Sequence, residues 1–430
     1  MLRFKNGKVL DMNGPAEIEE KEVWVQDGKI IFVGLPSDQL IKSTEFEKEY
    51  DLEGNLIMPS FKNAHTHSAM TFLRSYADDL PLQDWLFKQV FPMEAKLTGE
   101  DVYWFTKLAV LEYLTSGITA SFDMYFELDD YFKACTECGF RTVMCGAISG
   151  DKSAVKRLEE NYNRFNGVDP LVSYRLGFHA EYTADIEMME GVAELAEKYK
   201  APVSVHNSET EKEVAECIQK YGKTPTELFD SLGIYKYGGA GFHCVHFSDN
   251  DMEIFKSRGV WAVTCPGSNS KLASGIAPIC RMQEKGVDIA IGTDGPASNN
   301  CLDMFREMFL MTALQKIDRS DAAACPADLV LNAAVKGSAL AMGLGDCTEL
   351  SPGSQADLIV IDLSQPNMQP ENNIVKNLVY SGSKQNIRLT MCAGKVLYEN
   401  GVFHVGEDPK RIYARCGELL KELKELKSRN

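Results

Sequence analysis

Between residues 56 and 345 the chain keeps returning to one pattern, and no other feature limits its fold as much. Short apolar runs close on polar residues: FKNAHTHSAM at 61–70, then GITASFDMY, RTVMCGAIS, VSYRLGFHA, APVSVHNSE, GGAGFHCVHF, GVWAVTCPG and VDIAIGTDG. Between them lie longer stretches with helical spacing. Strands alternating with helices predict a parallel sheet, and this many units predict an α/β fold closed as a (β/α)8 TIM barrel. Such barrels carry their chemistry at the C-terminal ends of the strands.

The two ends of the chain read differently. EVWVQDGKIIFVG brings Val23 and Val25 into the turn Asp27-Gly28 and returns through Ile30, Ile31 and Val33, which is a hairpin signature. ADLIVIDL (356–363) and IRLTMCAGKVLYENG (387–401), turning at Ala393-Gly394, repeat that style. Neither end holds enough strand to bury both faces of its own sheet. We therefore expect residues 1–55 and 346–430 to form one small composite β-sandwich domain, with the barrel of residues 56–345 inserted between them. The tail PKRIYARCGELLKELKELKSRN has the spacing of a surface helix.

At 430 residues, with 44% apolar and 25% charged side chains, the chain has room for a large soluble barrel and an appendage. Its net charge of −17 argues against nucleic acid and against an anionic membrane as partners, and leaves a small molecule as the natural one. The start of the chain lacks a signal-peptide apolar region, and no run approaches the ~18 apolar residues that span a bilayer, so a cytoplasmic location is expected. Assembly into homo-oligomers is left open. Twelve scattered cysteines read as reduced thiols, and Cys135 and Cys138 before Gly139 read as the last turn of a helix.

His65 and His67 stand two apart, so an extended backbone puts both rings on one side. Alone, such a pair also fits two hydrogen-bonded histidines at a strand end. But His179 in RLGFHA, His206 ending APVSVH, His243 after GGAGF and Asp294 ending VDIAIGTD also fall at strand ends. Five of the seven histidines and an aspartate at such positions point to a metal site. His65, His67, His206 and Asp294 offer three neutral nitrogens and one carboxylate, which suits one divalent ion per chain, Zn²⁺ ahead of Fe²⁺, with a position open for water. Such a site stays positive and brings the pKa of bound water toward ~7. Glu209, three residues after His206, can reach the same pocket and carry protons to a substrate nitrogen; otherwise it is a solvated loop residue. In HCVH, His243 closes the strand directly and can polarise the water, whereas His246 reads as a packing residue.

The segments PSFKNAHTHSAM, YADDLPLQDWL, HNSETEKEV, HCVHFSD, CPGSNSKLASGIAPI and GTDGPASNN resemble the amidohydrolase superfamily. Within it they are similar to the aminohydrolase group that holds S-adenosylhomocysteine/5′-methylthioadenosine deaminases, guanine deaminases and triazine chlorohydrolases. The resemblance implies a mononuclear barrel with a composite β-sandwich, and hydrolytic deamination of a 6-aminopurine nucleoside. In relatives with two metals a carboxylated lysine bridges the ions from the fourth strand; here GFHAEY offers His179, which favours one metal. The resemblance further implies that His65, His67, His206 and Asp294 are ligands, with Asp294 also taking a proton from water. Glu209 protonates the ring nitrogen, His243 stands beside the hydroxide and His179 contacts substrate. Glu94 in FPMEAKLT binds ribose hydroxyls, and Arg157 in KRLEEN faces the 5′ substituent. VMCGAISGD lacks the second arginine that homocysteine-accepting members can offer. Two rival readings remain: a guanine, pterin or triazine aminohydrolase with the same metal chemistry, and a metal-free barrel acting as a binding protein.

Overall fold

The computed structural model describes residues 1–14, 17–80 and 82–428. Both expected hairpins form. Asp27 (φ 50°) and Gly28 (φ 79°) turn strand Ile18–Gln26 back into Lys29–Gly34, and two consecutive positive φ values are what a two-residue hairpin loop needs to match strand twist. Ala393 (φ 47°) and Gly394 (φ 78°) do the same between Ile387–Cys392 and Lys395–Glu399.

These strands belong to one nine-stranded sheet, five from the first 59 residues and four from Leu358 onward. Its middle strand is Leu56–Pro59, parallel to Leu2–Leu10 on one side and antiparallel to Leu358–Ile361 on the other. From sequence this run was placed at the start of the barrel. A strand flanked on both sides and buried along its length is apolar throughout, and so cannot be told from a barrel strand by composition. Phe4, Val23, Ile30, Leu358 and Met391 join in a separate small core for this domain.

The barrel starts at Phe61. Its strands are Phe61–Thr66, Ile118–Tyr125, Arg141–Gly146, a broken fourth strand (Val172–Tyr174 and Leu176–Gly177), Val203–Asn207, Gly239–His243, Val260–Thr264 and Ile289–Ile291, parallel throughout. The eighth closes on the first where the Asp294 N–H donates to the His65 carbonyl at 3.0 Å. The (β/α)8 expectation is borne out. Helix Leu128–Cys138 ends on Gly139 (φ 70°), as the CxxC segment predicted, and all twelve cysteines are free thiols. The terminal helix Pro409–Ser428 buries Ile412, Leu419 and Leu423, and Arg415 pairs with Glu100 of helix Gly99–Thr115; the last two residues of the expected helix lie outside the described residues. Among the described residues no helix is long and apolar enough to cross a membrane.

Candidate metal centre and its cavity

His65 lies in the first barrel strand and His67 just after it, so the strand end carries both rings to the barrel axis, 4.8 Å apart between centroids. The eighth strand delivers Asp294 opposite them. Asp294 Oδ1 is 3.3 Å from His67 Nε2 and 3.6 Å from His65 Nε2, separations that two ligands of one ion adopt when each bond is about 2.0–2.2 Å. Its Oδ1 also accepts from the Gly295 N–H, and its Oδ2 accepts from the hydroxyls of Ser268 (2.6 Å) and Ser298 (2.7 Å). Two groups of donor atoms converge here and share His65: His65, His67 and Asp294 in one, His65, His206 and His243 in the other. The four ligands expected from sequence are thus brought to one place, with His206 arriving together with His243.

The second nitrogens explain the ring orientations. His67 Nδ1 meets the Met124 carbonyl at 2.6 Å, His206 Nδ1 the His179 carbonyl at 2.7 Å, and His243 Nδ1 the Asn269 side-chain oxygen at 2.8 Å. Each Nδ1 donates outward and leaves Nε2 facing the centre, the orientation seen for metal-ligating histidines. His65, wholly buried and stacked on Phe242, has no hydrogen-bond partner on either nitrogen among the described residues. An orphaned buried imidazole costs free energy unless something occupies it, and a divalent cation fits this donor set. Burial holds His65 down to about 3 and His206 well below its usual value, so both are neutral, as a metal requires. Burial also pushes His67 down, but the hydrogen bond and charge of Asp294 outweigh it and carry His67 up to about 9. Positive charge is favoured at this point of the site.

The centre opens into a cavity of about 680 Å³. His67, His179, His206, His243 and Asp294 form its floor with Glu209 beside them, and Trp85, Leu86, Phe91, Leu97, Phe126 and Leu272 supply apolar wall. Glu209 is buried, accepts from Ser274 Oγ at 3.2 Å, and puts Oε2 3.9 Å from His243 Nε2. Burial raises its pKa, opposed by His243. Glu94 also lines the cavity; it accepts from Tyr125 OH at 2.8 Å, and burial pushes it up to about 7. It does not cap the following helix, because Thr98 and Asp101 do that. Burial lowers His179 to about 3, and its Nδ1 lies 3.2 Å from the Thr183 hydroxyl. His246 pairs with the Ser274 carbonyl at 2.8 Å.

Arg157 is different. It is exposed on helix Ser153–Phe165 and is not among the described residues that line the cavity, since the helix turns its Ala154–Leu158 side inward. Sequence reasoning named neither Ser268, Asn269, Ser274 and Ser298, which hold the acidic and imidazole groups, nor Tyr125. Four of these lie within CPGSNSKLASGIAPI and GTDGPASNN, so the signal was present without a role.

A parallel barrel with three histidines and an aspartate at its strand ends defines a metal-dependent hydrolase of the amidohydrolase class. The chain matches the amidohydrolase family over residues 56–397, and it belongs to that family. It is 37% identical over 420 residues, 96% of each chain, to the 5-methylthioadenosine/S-adenosylhomocysteine deaminase of Desulforamulus reducens. It is 39% identical over 382 residues to the protein of that name from Desulforudis audaxviator, 87% of this chain and 89% of that one. Among solved structures, an adenosine deaminase from Xanthomonas campestris with bound zinc superposes with a TM-score of 0.92 at 32% identity, covering 99% of this chain and 98% of that one. An atrazine chlorohydrolase from Arthrobacter aurescens, with a TM-score of 0.89 at 20% identity over 98% and 100% of the two chains, shares the fold.

Proposed function

We propose that the chain is a metal-dependent hydrolytic deaminase of 6-aminopurine nucleosides, releasing ammonia and the inosine analogue. The observation that carries this reading is the pairing of a metal-binding floor with two buried carboxyls, Glu209 beside the floor and Glu94 on the wall of one cavity. Deaminases named for adenosine and for 5-methylthioadenosine/S-adenosylhomocysteine at 32–39% identity support it.

His65, His67, His206 and Asp294 would hold the ion, and Zn²⁺ suits three imidazoles and one carboxylate. Bound there, a divalent cation supplies Lewis-acid activation of water near neutral pH. Glu209, whose pKa is raised by burial, delivers a proton from its carboxyl to the ring nitrogen beside the attacked carbon. His243, its Nδ1 fixed by Asn269, presents Nε2 to the same carbon's substituents, and Asp294 accepts the proton that water loses. Glu94 receives the ribose hydroxyls, with Tyr125 fixing its orientation. The apolar walls exclude bulk water and position the base. A free guanine, pterin or triazine has no diol for Glu94, so the nucleoside reading accounts for one more buried carboxyl than its rivals.

No lysine or arginine is among the described residues lining the cavity, while Glu94 and Glu127 are. An uncharged 5′ group, hydroxyl, hydrogen or methylthio, therefore suits it better than a tail bearing a carboxylate. Ammonia release from adenosine, 5′-deoxyadenosine, 5′-methylthioadenosine and S-adenosylhomocysteine tests the reading. We expect the first three to turn over, with kcat/KM for the last at least about tenfold lower, the cost of one poorly accommodated charge at 1.4 kcal/mol per decade. No turnover of any would overturn the assignment. Elemental analysis should find about one zinc per chain, and chelation should abolish activity until Zn²⁺ is returned.

A further inference from the structure

Glu209 has little to aim it. Among the described residues its side chain makes one hydrogen bond, from Ser274 Oγ at 3.2 Å, and its Oε2 lies 3.9 Å from His243 Nε2. Where its carboxyl points is set by where the backbone of residues 208–210 lies. That backbone is unusual, because Ser208 holds φ at +52°, a conformation non-glycine residues rarely adopt without outside support.

The support comes from Glu213, on the first turn of helix Glu211–Tyr221. Its Oε1 accepts the Ser208 N–H at 2.7 Å, and its Oε2 accepts the N–H groups of Glu209 at 2.8 Å and Thr210 at 3.3 Å. An ordinary capping box needs only the bond to the cap residue, here Thr210, whose hydroxyl accepts the Glu213 N–H at 3.1 Å in return. The two extra bonds reach past the cap into the turn. The Ser208 carbonyl is fixed as well, accepting the N–H groups of Val245 (3.1 Å) and His246 (2.9 Å) beyond the sixth barrel strand. Glu213 is buried close to two further carboxyls, Glu181 and Glu209, whose charges oppose its own. A helix cap alone would not require so costly a place.

We propose that Glu213 is a positioning residue for Glu209: its carboxylate locks the Ser208–Thr210 turn and so aims the Glu209 carboxyl at the substrate nitrogen. This rests on the deaminase reading above. The same chain supplies the control for its test, because Asp101 and Asp251 cap their helices as aspartates, accepting the N–H groups of Thr98 and Ser248 at 2.8 Å each. Glu213→Asp should thus keep the cap while withdrawing the carboxylate by one C–C bond, about 1.5 Å, from the Ser208 and Glu209 amides.

The experiment is a double-mutant cycle on adenosine deamination with Glu213→Asp and Glu209→Gln, with metal content and melting temperature measured for each protein. We expect Glu213→Asp to bind metal as the unmodified chain does, melt within a few degrees of it, keep KM within about threefold and lose kcat by about 10- to 100-fold, the scale of an ångström-sized misplacement. In the Glu209→Gln background the same change should cost less than about threefold, since residues that act through one another are not additive. Equal losses in both backgrounds, full activity of Glu213→Asp, or loss of its metal or cooperative melting would each make Glu213 a structural cap and overturn the proposal. If the unmodified chain fails to deaminate adenosine and its 5′ analogues alike, the deaminase reading falls and takes this proposal with it; the other outcomes leave that reading standing.

Discussion

Glu209 and Glu94 are both buried carboxyls on one cavity, yet their partners suit them to different work. Glu209 faces His243 and the metal-binding floor, so Glu209→Gln should leave metal content near that of the unmodified chain and lower kcat by about 10²–10⁴, the scale of a lost general acid–base group. Metal loss on that substitution would instead make Glu209 a ligand. Glu94 stands on the wall, and burial lifts it from 4.5 to about 7. A raised carboxyl pKa means that between those values the folded chain binds a proton that the unfolded chain has released. The stability linked to Glu94 is therefore complete below about pH 4.5 and is lost as pH rises through about 7. Glu94→Gln cannot ionise, so its melting temperature should gain on that of the unmodified chain between pH 5 and pH 8. A constant difference would mean that Glu94 is not the titrating group. For activity, Glu94→Ala should lower kcat/KM for a ribonucleoside by about 10- to 100-fold and hardly affect a free base, because each charge-assisted bond to a ribose hydroxyl contributes roughly 1.5–3 kcal/mol.

At the scale of elements, the site depends on strands that end abruptly. His243 (φ 72°), Cys244 (φ 52°) and Asp294 (φ 58°) all leave the extended conformation in the left-handed region as their strands finish, which turns the polar side chains onto the barrel mouth. The eighth strand must also lie close against the first. A Cβ at Gly292 would sit 2.8 Å from both the Cβ and the carbonyl oxygen of His65 and 2.9 Å from its nitrogen, so only glycine allows this approach. Gly292→Ala should push the two strands apart just where His65 meets Asp294. We expect a loss of about 1–3 kcal/mol in denaturant unfolding, typical of overpacking, together with weaker metal retention on dialysis. Full metal content after the same dialysis would show that the barrel can relax without moving its ligands.

Across the whole molecule, barrel and terminal sheet are joined by buried charge. Arg141, in the third barrel strand, forms a two-pronged pair with Asp357 just before strand Leu358–Ile361, at 2.9 and 3.0 Å, and Asp357 also accepts the Ala393 N–H at 2.7 Å. The wholly buried Lys62 lies in the same cluster, donating to Ser60. Asp357→Asn would leave the buried Arg141 guanidinium short of a counter-charge, and should cost about 3–5 kcal/mol of stability. Turnover per folded molecule should stay within a few-fold, because the cluster is at the opposite end of the barrel strands from the metal floor; a matching loss of kcat would show that the junction steers the site. The chain's own pattern determined much of this architecture. Alternating strands and helices, hairpin turns such as Asp27-Gly28, and polar residues at the close of apolar runs are local signals, and local backbone geometry follows from them. Tertiary structure alone decided what no period can encode: the carbonyls of Met124 and His179 that orient two imidazoles, the Tyr125 hydroxyl on Glu94, the outward face taken by Arg157, and the place of Leu56–Pro59 in the terminal sheet. Those partners come from segments far apart in the chain or from backbone groups common to every residue. Their pairing was settled only when the barrel closed and brought them within hydrogen-bonding distance.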